Sequence, residues 1–339
     1  MQPMPCRWNH QQPLKIIVRI ENMKTSPLPT TKAPGYRALD RINILLLVAV
    51  LGITFVFGAY YFWDRYIHPG DMSPIDLGIA HLEQVVQTNP DDQEARLSLI
   101  QYYLDSEDFP EAIEQSQQVL NVYPDNPGAL LLLGIAYTKT QQNQMAIETL
   151  EKFSALRRET QEVEKDTILE TSLYYIGQNY LSLNQHVQAI EVLSEALEID
   201  RTDADAMYLL GNAFVQGGQY GQAIDSYLHA IRFVPDFAEA YRGLSECYSE
   251  LNQPEMALYA QGMEAFSQRD YHQARQILER AAAQLNDVPE LYLGLSLTYE
   301  QLGENQLAKE TVQRVLELDP HNIGAQTALM RIQSKEGSK

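Results

Sequence analysis

The sequence predicts an all-α protein in which stacked helix pairs form a solenoid, preceded by one long apolar helix. Three observations indicate this class. Alanine recurs along most of the chain, and four of the six gaps between neighbouring members of the series are 34 residues. Small and aromatic residues recur at similar distances from each alanine, and one uncharged run precedes the series. The alanines are Ala112, Ala146, Ala189, Ala223, Ala257, Ala274 and Ala308.

The residues around each alanine predict how the helices pack. A small residue lies midway along the first helix of each pair, where glycine costs about 1 kcal/mol in an exposed helix. We therefore expect it to serve close packing against the alanine of the second helix, with a large residue filling the space between pairs. The small residues are Gly134, Gly177, Gly211, Ser245, Gly262 and Ser296, and the large ones are Tyr137, Tyr180, Phe214, Tyr248 and Tyr299.

This period and pattern resemble the tetratricopeptide repeat, a helix-turn-helix unit that stacks because it cannot bury its apolar face alone. Residues 206–237 align almost residue by residue with residues 291–322. The resemblance covers 73–334 and implies a right-handed α-solenoid whose first helices form a concave face for proteins or peptides.

The array is expected to begin with an unpaired second helix over Ser73–Thr88 and to end with a capping helix over Ile323–Ser334, before a tail at 335–339. Full pairs are predicted between them, at 93–126, 127–157, 170–203, 204–237 and 289–322.

Two irregularities interrupt the predicted array. A charged insertion at 157–169 is expected to lengthen the helices on either side of it. A half-repeat slip at 254–268 follows from the 17 residues between Ala257 and Ala274, because a single helix then closes one pair and opens the next. Such a slip changes the parity of later helices and interrupts the concave face near residue 260. An uneven turn that absorbs the slip is the alternative.

Residues 42–63 contain no charged side chain, and their 22 residues are long enough to cross roughly 30 Å of hydrocarbon as a transmembrane helix. Aromatic residues at 60–63 and 66 are typical of a membrane interface. A cleaved signal peptide is an alternative, but its apolar region would be shorter. A buried core helix is another, but the array offers no second layer of helices to cover it. Residues 64–72 form a linker in this interpretation.

Charge predicts the orientation of this helix. Residues 1–41, expected to be a disordered tail, contain seven Lys and Arg residues against two acidic ones. Cytoplasmic flanks are enriched in Lys and Arg, so we expect a single-pass cell-membrane protein with a cytoplasmic N-terminus and extracytoplasmic repeats. The bias persists if translation starts at Met23. Repeats that face the cytoplasm, as a membrane adaptor, remain the alternative.

Composition excludes several functions. The chain carries −20 and residues 1–66 carry +5, so residues 67–339 carry −25, which disfavours nucleic acid as a partner. Cys6 and Cys247 lie on opposite sides of the predicted membrane helix and cannot pair. Scattered histidines and the absence of known catalytic or phosphate-binding motifs predict no catalytic residue, cofactor or metal.

The concave face is the remaining candidate site for a partner. An aromatic anchor with convergent polar groups is typical of a peptide groove. Asn212 and Arg242 resemble part of the carboxylate clamp of some tetratricopeptide proteins, but Tyr208 stands at the lysine position. The candidate residues are Tyr174, Gln178, Tyr208, Asn212, Arg242 and Glu246.

These observations favour a non-catalytic scaffold, anchored in the cytoplasmic membrane through residues 42–63, that binds or assembles proteins of the envelope. An enzyme subunit with catalytic residues on the solenoid is the alternative from another class.

Overall fold

The computed structural model describes residues 50, 52–58, 73–160 and 166–337. The chain divides into a first unit, Met1–Asp71, and a second, Met72–Lys339. In the first unit, residues 50 and 52–58 are helical and their apolar side chains are exposed. The rest of the predicted transmembrane helix lies outside the described residues, as do the predicted tail at 1–41 and the whole linker at 64–72. Within the described residues, no helix combines the length and the apolar character needed to cross a membrane.

The second unit is all-helical over residues 73–160 and 166–337, where fifteen α-helices follow one another. Each helix packs against its neighbours in the chain, as expected for a solenoid. The helices are α1 Pro74–Thr88, α2 Gln93–Asp105, α3 Phe109–Val122, α4 Pro127–Lys139, α5 Asn143–Thr160, α6 Thr167–Ser182, α7 His186–Ile199, α8 Ala204–Gln216, α9 Tyr220–Phe233, α10 Ala238–Glu250, α11 Pro254–Ser267, α12 Tyr271–Ala282, α13 Pro289–Gln301, α14 Asn305–Leu318 and α15 Ile323–Gly337.

Two kinds of connection distinguish the first helix of a pair from the second. Several first helices begin at an Asp or Asn whose side chain accepts hydrogen bonds from the first turn, as Asp92 does for α2 and Asn126 for α4. The turn from a first helix to a second instead contains a residue with left-handed backbone, such as Gln141 (φ 59°) or Gly218 (φ 69°). The type of turn therefore identifies the order of the helices within a pair.

Helix α11 has the turn of a first-to-second connection at both ends, with Asn252 (φ 55°) before it and Arg269 (φ 64°) after it. Contacts between alternate helices link α2 to α4, α4 to α6, α6 to α8 and α8 to α10. After α10 the contacts continue from α11 to α13 and from α13 to α15. We call these eight helices the first-helix row. Helix α11 is thus the second helix for α10 and the first helix for α12.

The glycines of the first helices meet a large side chain of the second helix. The expectation that the alanine faces the glycine is wrong, because the residue four positions after the alanine lies there instead. A Cβ atom added at these glycines would lie 2.4 to 2.6 Å from that side chain, which is closer than atoms can approach. The pairs are Gly134 with Leu150, Gly177 with Leu193, Gly211 with Tyr227, and Gly262 with Leu278.

The helices beside the charged insertion are long. Helix α5 has 18 residues and α6 has 16, where most of the helices that follow have 13 or 14. At the start of α6, the buried Asp166 accepts a hydrogen bond from Arg157 Nη2 at 3.0 Å and caps the helix through the amides of Ile168 and Leu169. Residues 161–165 of the predicted insertion lie outside the described residues.

The last helix runs to Gly337, three residues beyond the predicted end at Ser334. A buried carboxylate explains the extension, because Glu300 Oε1 accepts hydrogen bonds from Arg331 Nε at 2.7 Å and from Lys335 Nζ at 2.8 Å. These hydrogen bonds lower the pKa of Glu300. The ion pairs therefore attach the last two turns of α15 to α13.

Replacing Gly211 with Ala is expected to destabilise the fold by about 1–3 kcal/mol through overpacking. The new Cβ would lie 2.5 Å from the ring of Tyr227, and the far side of that ring lies against Gly243, so the ring has no room to move. The gain in helix propensity, at most about 1 kcal/mol, is smaller than this cost. Chemical denaturation measures the difference.

The matched control is Gly221→Ala on α9, where nothing lies within 4 Å of the added Cβ. We expect this variant to be as stable as the wild type or more stable. Equal stability of the variants at 211 and 221 would contradict the packing described above.

Candidate functional site

The six predicted partner-binding residues lie on three consecutive members of the first-helix row. Each helix contributes two residues four positions apart, so both lie on one side of it. Helix α6 carries Tyr174 and Gln178, α8 carries Tyr208 and Asn212, and α10 carries Arg242 and Glu246.

Four of these residues line one cavity between α8 and α10, and we call it the α8–α10 pocket. Its volume is about 210 Å³, and its lining combines aromatic, amide and charged side chains. Gln178 lines a different cavity of about 560 Å³ between α4 and α6. Tyr174 packs edge-on against Tyr175, with ring centroids 5.3 Å apart. The described residues that line the α8–α10 pocket are Tyr208, Asn212, Val215, Gln216, Tyr227, Glu239, Arg242, Gly243 and Glu246.

A buried tyrosine of the second helix α9 forms the floor of the α8–α10 pocket. The ring of Tyr227 passes between Gly211 of α8 and Gly243 of α10, and its hydroxyl donates a hydrogen bond to Asn212 Oδ1 at 2.7 Å. Only 1% of Tyr227 is exposed. Tyr227 is not among the residues predicted from the sequence, although its position, four after Ala223, holds leucine in three other pairs.

The guanidinium of Arg242 is paired within the chain. Its Nε atom donates to Glu264 Oε1 at 2.8 Å, and the carboxylate belongs to α11. Gln268 Nε2 donates to the same oxygen at 3.2 Å. Glu264 is not among the residues predicted from the sequence, and it lies beside α10 because α11 follows α10 directly in the first-helix row.

The two tyrosines predicted to anchor a partner are half-buried. The ring of Tyr208 lies 5.8 Å from that of Tyr227 and 5.1 Å from that of Phe237, measured between centroids. Burial, followed by the charge of Asp205, raises the pKa of Tyr174 to about 12. Alanine at either tyrosine therefore removes packing as well as surface, so the exposed lining residues are better probes of binding.

The cavity between α4 and α6 is polar. Asn179 beside it is fully buried, and its Nδ2 donates to Thr138 Oγ1 at 2.7 Å and to Tyr175 O at 2.6 Å. Lys139 Nζ lies 6.0 Å from the centroid of the Tyr175 ring. The lining consists of Thr138, Lys139, Gln141, Asn143, Gln178 and Ser182.

The buried carboxyl group of Glu170 lies near Tyr174, between the starts of α6 and α8. Burial raises the pKa of Glu170 to about 8, and the hydrogen-bonded carboxylate of Asp203 and the charge of Asp200 add to this effect. Asp203 itself caps α8 by accepting from the amide of Asp205 at 2.8 Å. Glu170 is 8% exposed, and its Oε1 atom is buried without a hydrogen-bond partner. This carboxyl group is therefore a source of pH-dependent stability.

Across residues 50, 52–58, 73–160 and 166–337, no group of three His, Cys, Asp or Glu side chains is placed to hold a metal ion. The chemistry of the lining residues suits recognition, because hydrogen-bonding and charged groups converge beside aromatic rings. This fold and surface define an α-helical repeat protein with a polar and aromatic face.

The chain belongs to the tetratricopeptide repeat family. A family model described as "TPR repeat" matches residues 177–217 and 211–251, and two described as "Tetratricopeptide repeat" match residues 103–164 and 265–337, and residues 75–116. These matches confirm the resemblance inferred from the period and pattern of the alanines. They extend over most of the second unit.

Two curated proteins are similar to parts of this chain. A peroxisomal targeting signal receptor of Candida albicans is 24% identical over an alignment of 224 residues that covers 60% of this chain and 37% of that protein. A lipopolysaccharide assembly protein B of Haemophilus influenzae is 30% identical over an alignment of 132 residues that covers 37% of this chain and 31% of that protein. The chain thus spans about a third of the length of these relatives.

Solved structures also resemble the chain. MamA from Desulfovibrio magneticus RS-1 has a TM-score of 0.48 and 20% identity, covering 53% of this chain and 97% of that one. YrrB, described as a TPR protein with an unusual peptide-binding site, has a TM-score of 0.46 and 18% identity, covering 58% and 97%.

Glu170→Gln is expected to make the stability of the protein less dependent on pH. Because the folded protein keeps this proton up to about pH 8, whereas an unfolded Glu loses it near its usual pKa of about 4.3, the wild type loses stability as the pH rises through that window. The slope from this group is at most about 1.4 kcal/mol per pH unit. Glutamine retains a neutral donor and removes the titration.

Denaturation from pH 4 to 9 tests this effect, with Glu191→Gln, an exposed position on α7, as the control. We expect the control to follow the wild type and Glu170→Gln to gain relative stability toward high pH. Parallel curves for all three proteins would show that Glu170 does not carry this effect.

Proposed function

We propose that the chain is a non-catalytic scaffold whose repeats bind or assemble partner proteins of the envelope, while residues 42–63 anchor it in the cytoplasmic membrane. The observation that carries the proposal is the α8–α10 pocket. It places Tyr208, Asn212 and two charged side chains together on the first-helix row of a tetratricopeptide repeat protein. Aromatic and polar groups converging on a pocket favour recognition of a protein segment.

Sequence supports the membrane anchor in this proposal. Residues 42–63 contain no charge, and an excess of Lys and Arg precedes them. The same bias favours a cytoplasmic N-terminus and extracytoplasmic repeats. One relative is named for the assembly of lipopolysaccharide, which agrees with a role in assembly at the envelope.

Site-specific photocrosslinking in cells tests the binding proposal. A photoreactive amino acid in place of Gln216, an exposed residue that lines the α8–α10 pocket, is expected to capture a partner protein. The same amino acid in place of Gln222, an exposed residue of the second helix α9, is the matched control. Both substitutions leave the net charge unchanged.

A discrete crosslinked product from position 216 and background from position 222 are the expected results, and mass spectrometry then identifies the partner. Equal products from both positions would place binding elsewhere on the repeats. No product from position 216 under any growth condition would contradict the assignment of this pocket.

Cysteine labelling of intact cells tests the proposed topology. Asp225→Cys adds a thiol at a position on α9 near the surface, whereas the native Cys247 is fully buried, and Cys6→Ser removes the remaining thiol. A membrane-impermeant maleimide is expected to label the thiol introduced at position 225 in cells whose cytoplasmic membrane is intact and whose outer envelope layers have been made permeable to the reagent. Labelling only after lysis of the cytoplasmic membrane would instead support a cytoplasm-facing adaptor.

A further inference from the structure

The charges around the α8–α10 pocket are unequal. Of the described residues that line it, Glu239 and Glu246 are acidic and Arg242 alone is cationic. The two carboxylates lie seven positions apart on α10, and both residues are in contact with solvent. They therefore remain accessible to a ligand.

The cation among these lining residues already has an anionic partner. Glu264 of α11 accepts a hydrogen bond from Arg242 Nε at 2.8 Å, and 20% of its side chain is exposed, against 53% for Arg242. Glu264 reaches this position because α10 and α11 are direct neighbours in the first-helix row. An acidic ligand would share this guanidinium with Glu264 and lie beside two further carboxylates.

We infer that this pocket takes the cationic side chain of a lysine or arginine in an extended segment of the partner. The inference rests on the proposed function and specifies the chemistry of its ligand. Glu239 and Glu246 supply the opposite charge, and Tyr208 in the same lining adds an aromatic ring, a group that attracts cations at close range. The charge of −25 on residues 67–339 draws positively charged segments toward the repeats over a longer range.

Binding of short labelled peptides to the full-length protein in detergent tests this specificity. Three peptides share the same serine and leucine residues at every second position. The positions between them are all lysine in the first peptide, all glutamate in the second and all glutamine in the third. We expect the lysine peptide to bind about tenfold more tightly than the glutamine peptide, which corresponds to about 1.4 kcal/mol. The glutamate peptide should bind most weakly, and added salt should reduce the difference.

Two sets of variants locate the effect. Glu239→Gln combined with Glu246→Gln should remove most of the preference for lysine. Glu191→Gln combined with Glu198→Gln is the matched control, because these residues have the same spacing on the second helix α7 and the same change in net charge. Glu264→Gln removes the carboxylate that pairs with Arg242. This variant should bind the lysine peptide more weakly and the glutamate peptide more tightly.

If the pocket variant and the control lose the preference for the lysine peptide equally, the inference is overturned, because the preference then comes from net charge alone. Crosslinking from position 216 without any preference among the peptides would overturn it while the proposed function stands. Absence of both crosslinking and peptide binding would reject the two together.

The basic segment 1–41 of this chain is the alternative ligand that the experiment includes, because detergent removes the bilayer that separates it from the repeats in the proposed topology. If a synthetic peptide of residues 1–41 saturates the pocket, and deletion of that segment from the full-length protein strengthens binding of the lysine peptide, the ligand is internal and the inference of a partner is wrong. Unchanged binding after the deletion supports an external partner.

Discussion

The array depends on one repeated contact, in which a large side chain of the second helix lies on a glycine of the first. Glycine inside a helix costs about 1 kcal/mol, whereas full burial of a leucine-sized side chain stabilises by about 1.5–3 kcal/mol, so the contact is favourable overall. The pair α13 and α14 reaches the same close approach differently, because Ser296 donates a hydrogen bond to Ala308 O at 2.9 Å. Both arrangements hold two backbones near each other, and the stacking of successive pairs follows from that distance.

Helix α11 supplies the glycine of this contact in its pair with α12, and it also packs against α10. Its composition reflects both roles. Its Gly262 meets Leu278 of α12, and the next residue, Met263, lies against Gly294 of α13. Buried residues are distributed around α11, as expected for a helix covered on more than one side. The double role places a carboxylate of α11, that of Glu264, beside Arg242. The irregular repeat thus changes the electrostatic character of the neighbouring pocket.

The sequence was sufficient to predict an all-helical tetratricopeptide array, and four of the six residues that it selected line one pocket, because periodicity reports directly which side of a helix is buried. It was insufficient for Tyr227 and Glu264. A period identifies the buried position of Tyr227, but it does not show that the side chain is long enough to cross between two first helices and reach Asn212. The pairing of Glu264 with Arg242 depends on how α10 and α11 meet, and the burial of Glu170 depends on the approach of the α7–α8 connection. Each of these is a tertiary relation that no single helix pattern contains.

The placement of the charges also bears on how tightly such a pocket can bind. Exposed ion pairs contribute roughly 0–1 kcal/mol each, so two carboxylates on α10 can select a cation without holding it strongly. The buried Tyr227, which donates a hydrogen bond to Asn212, forms the floor of the pocket and belongs to the core of the solenoid. Tight binding therefore requires contacts along several members of the first-helix row. In the proposed function, the polar cavity beside Gln178, between α4 and α6, is a second candidate point of attachment for an extended segment. The charge of the α8–α10 pocket and the number of helices of the first-helix row that the segment contacts would together determine which partner binds. Linked weak contacts increase affinity without a single strong one.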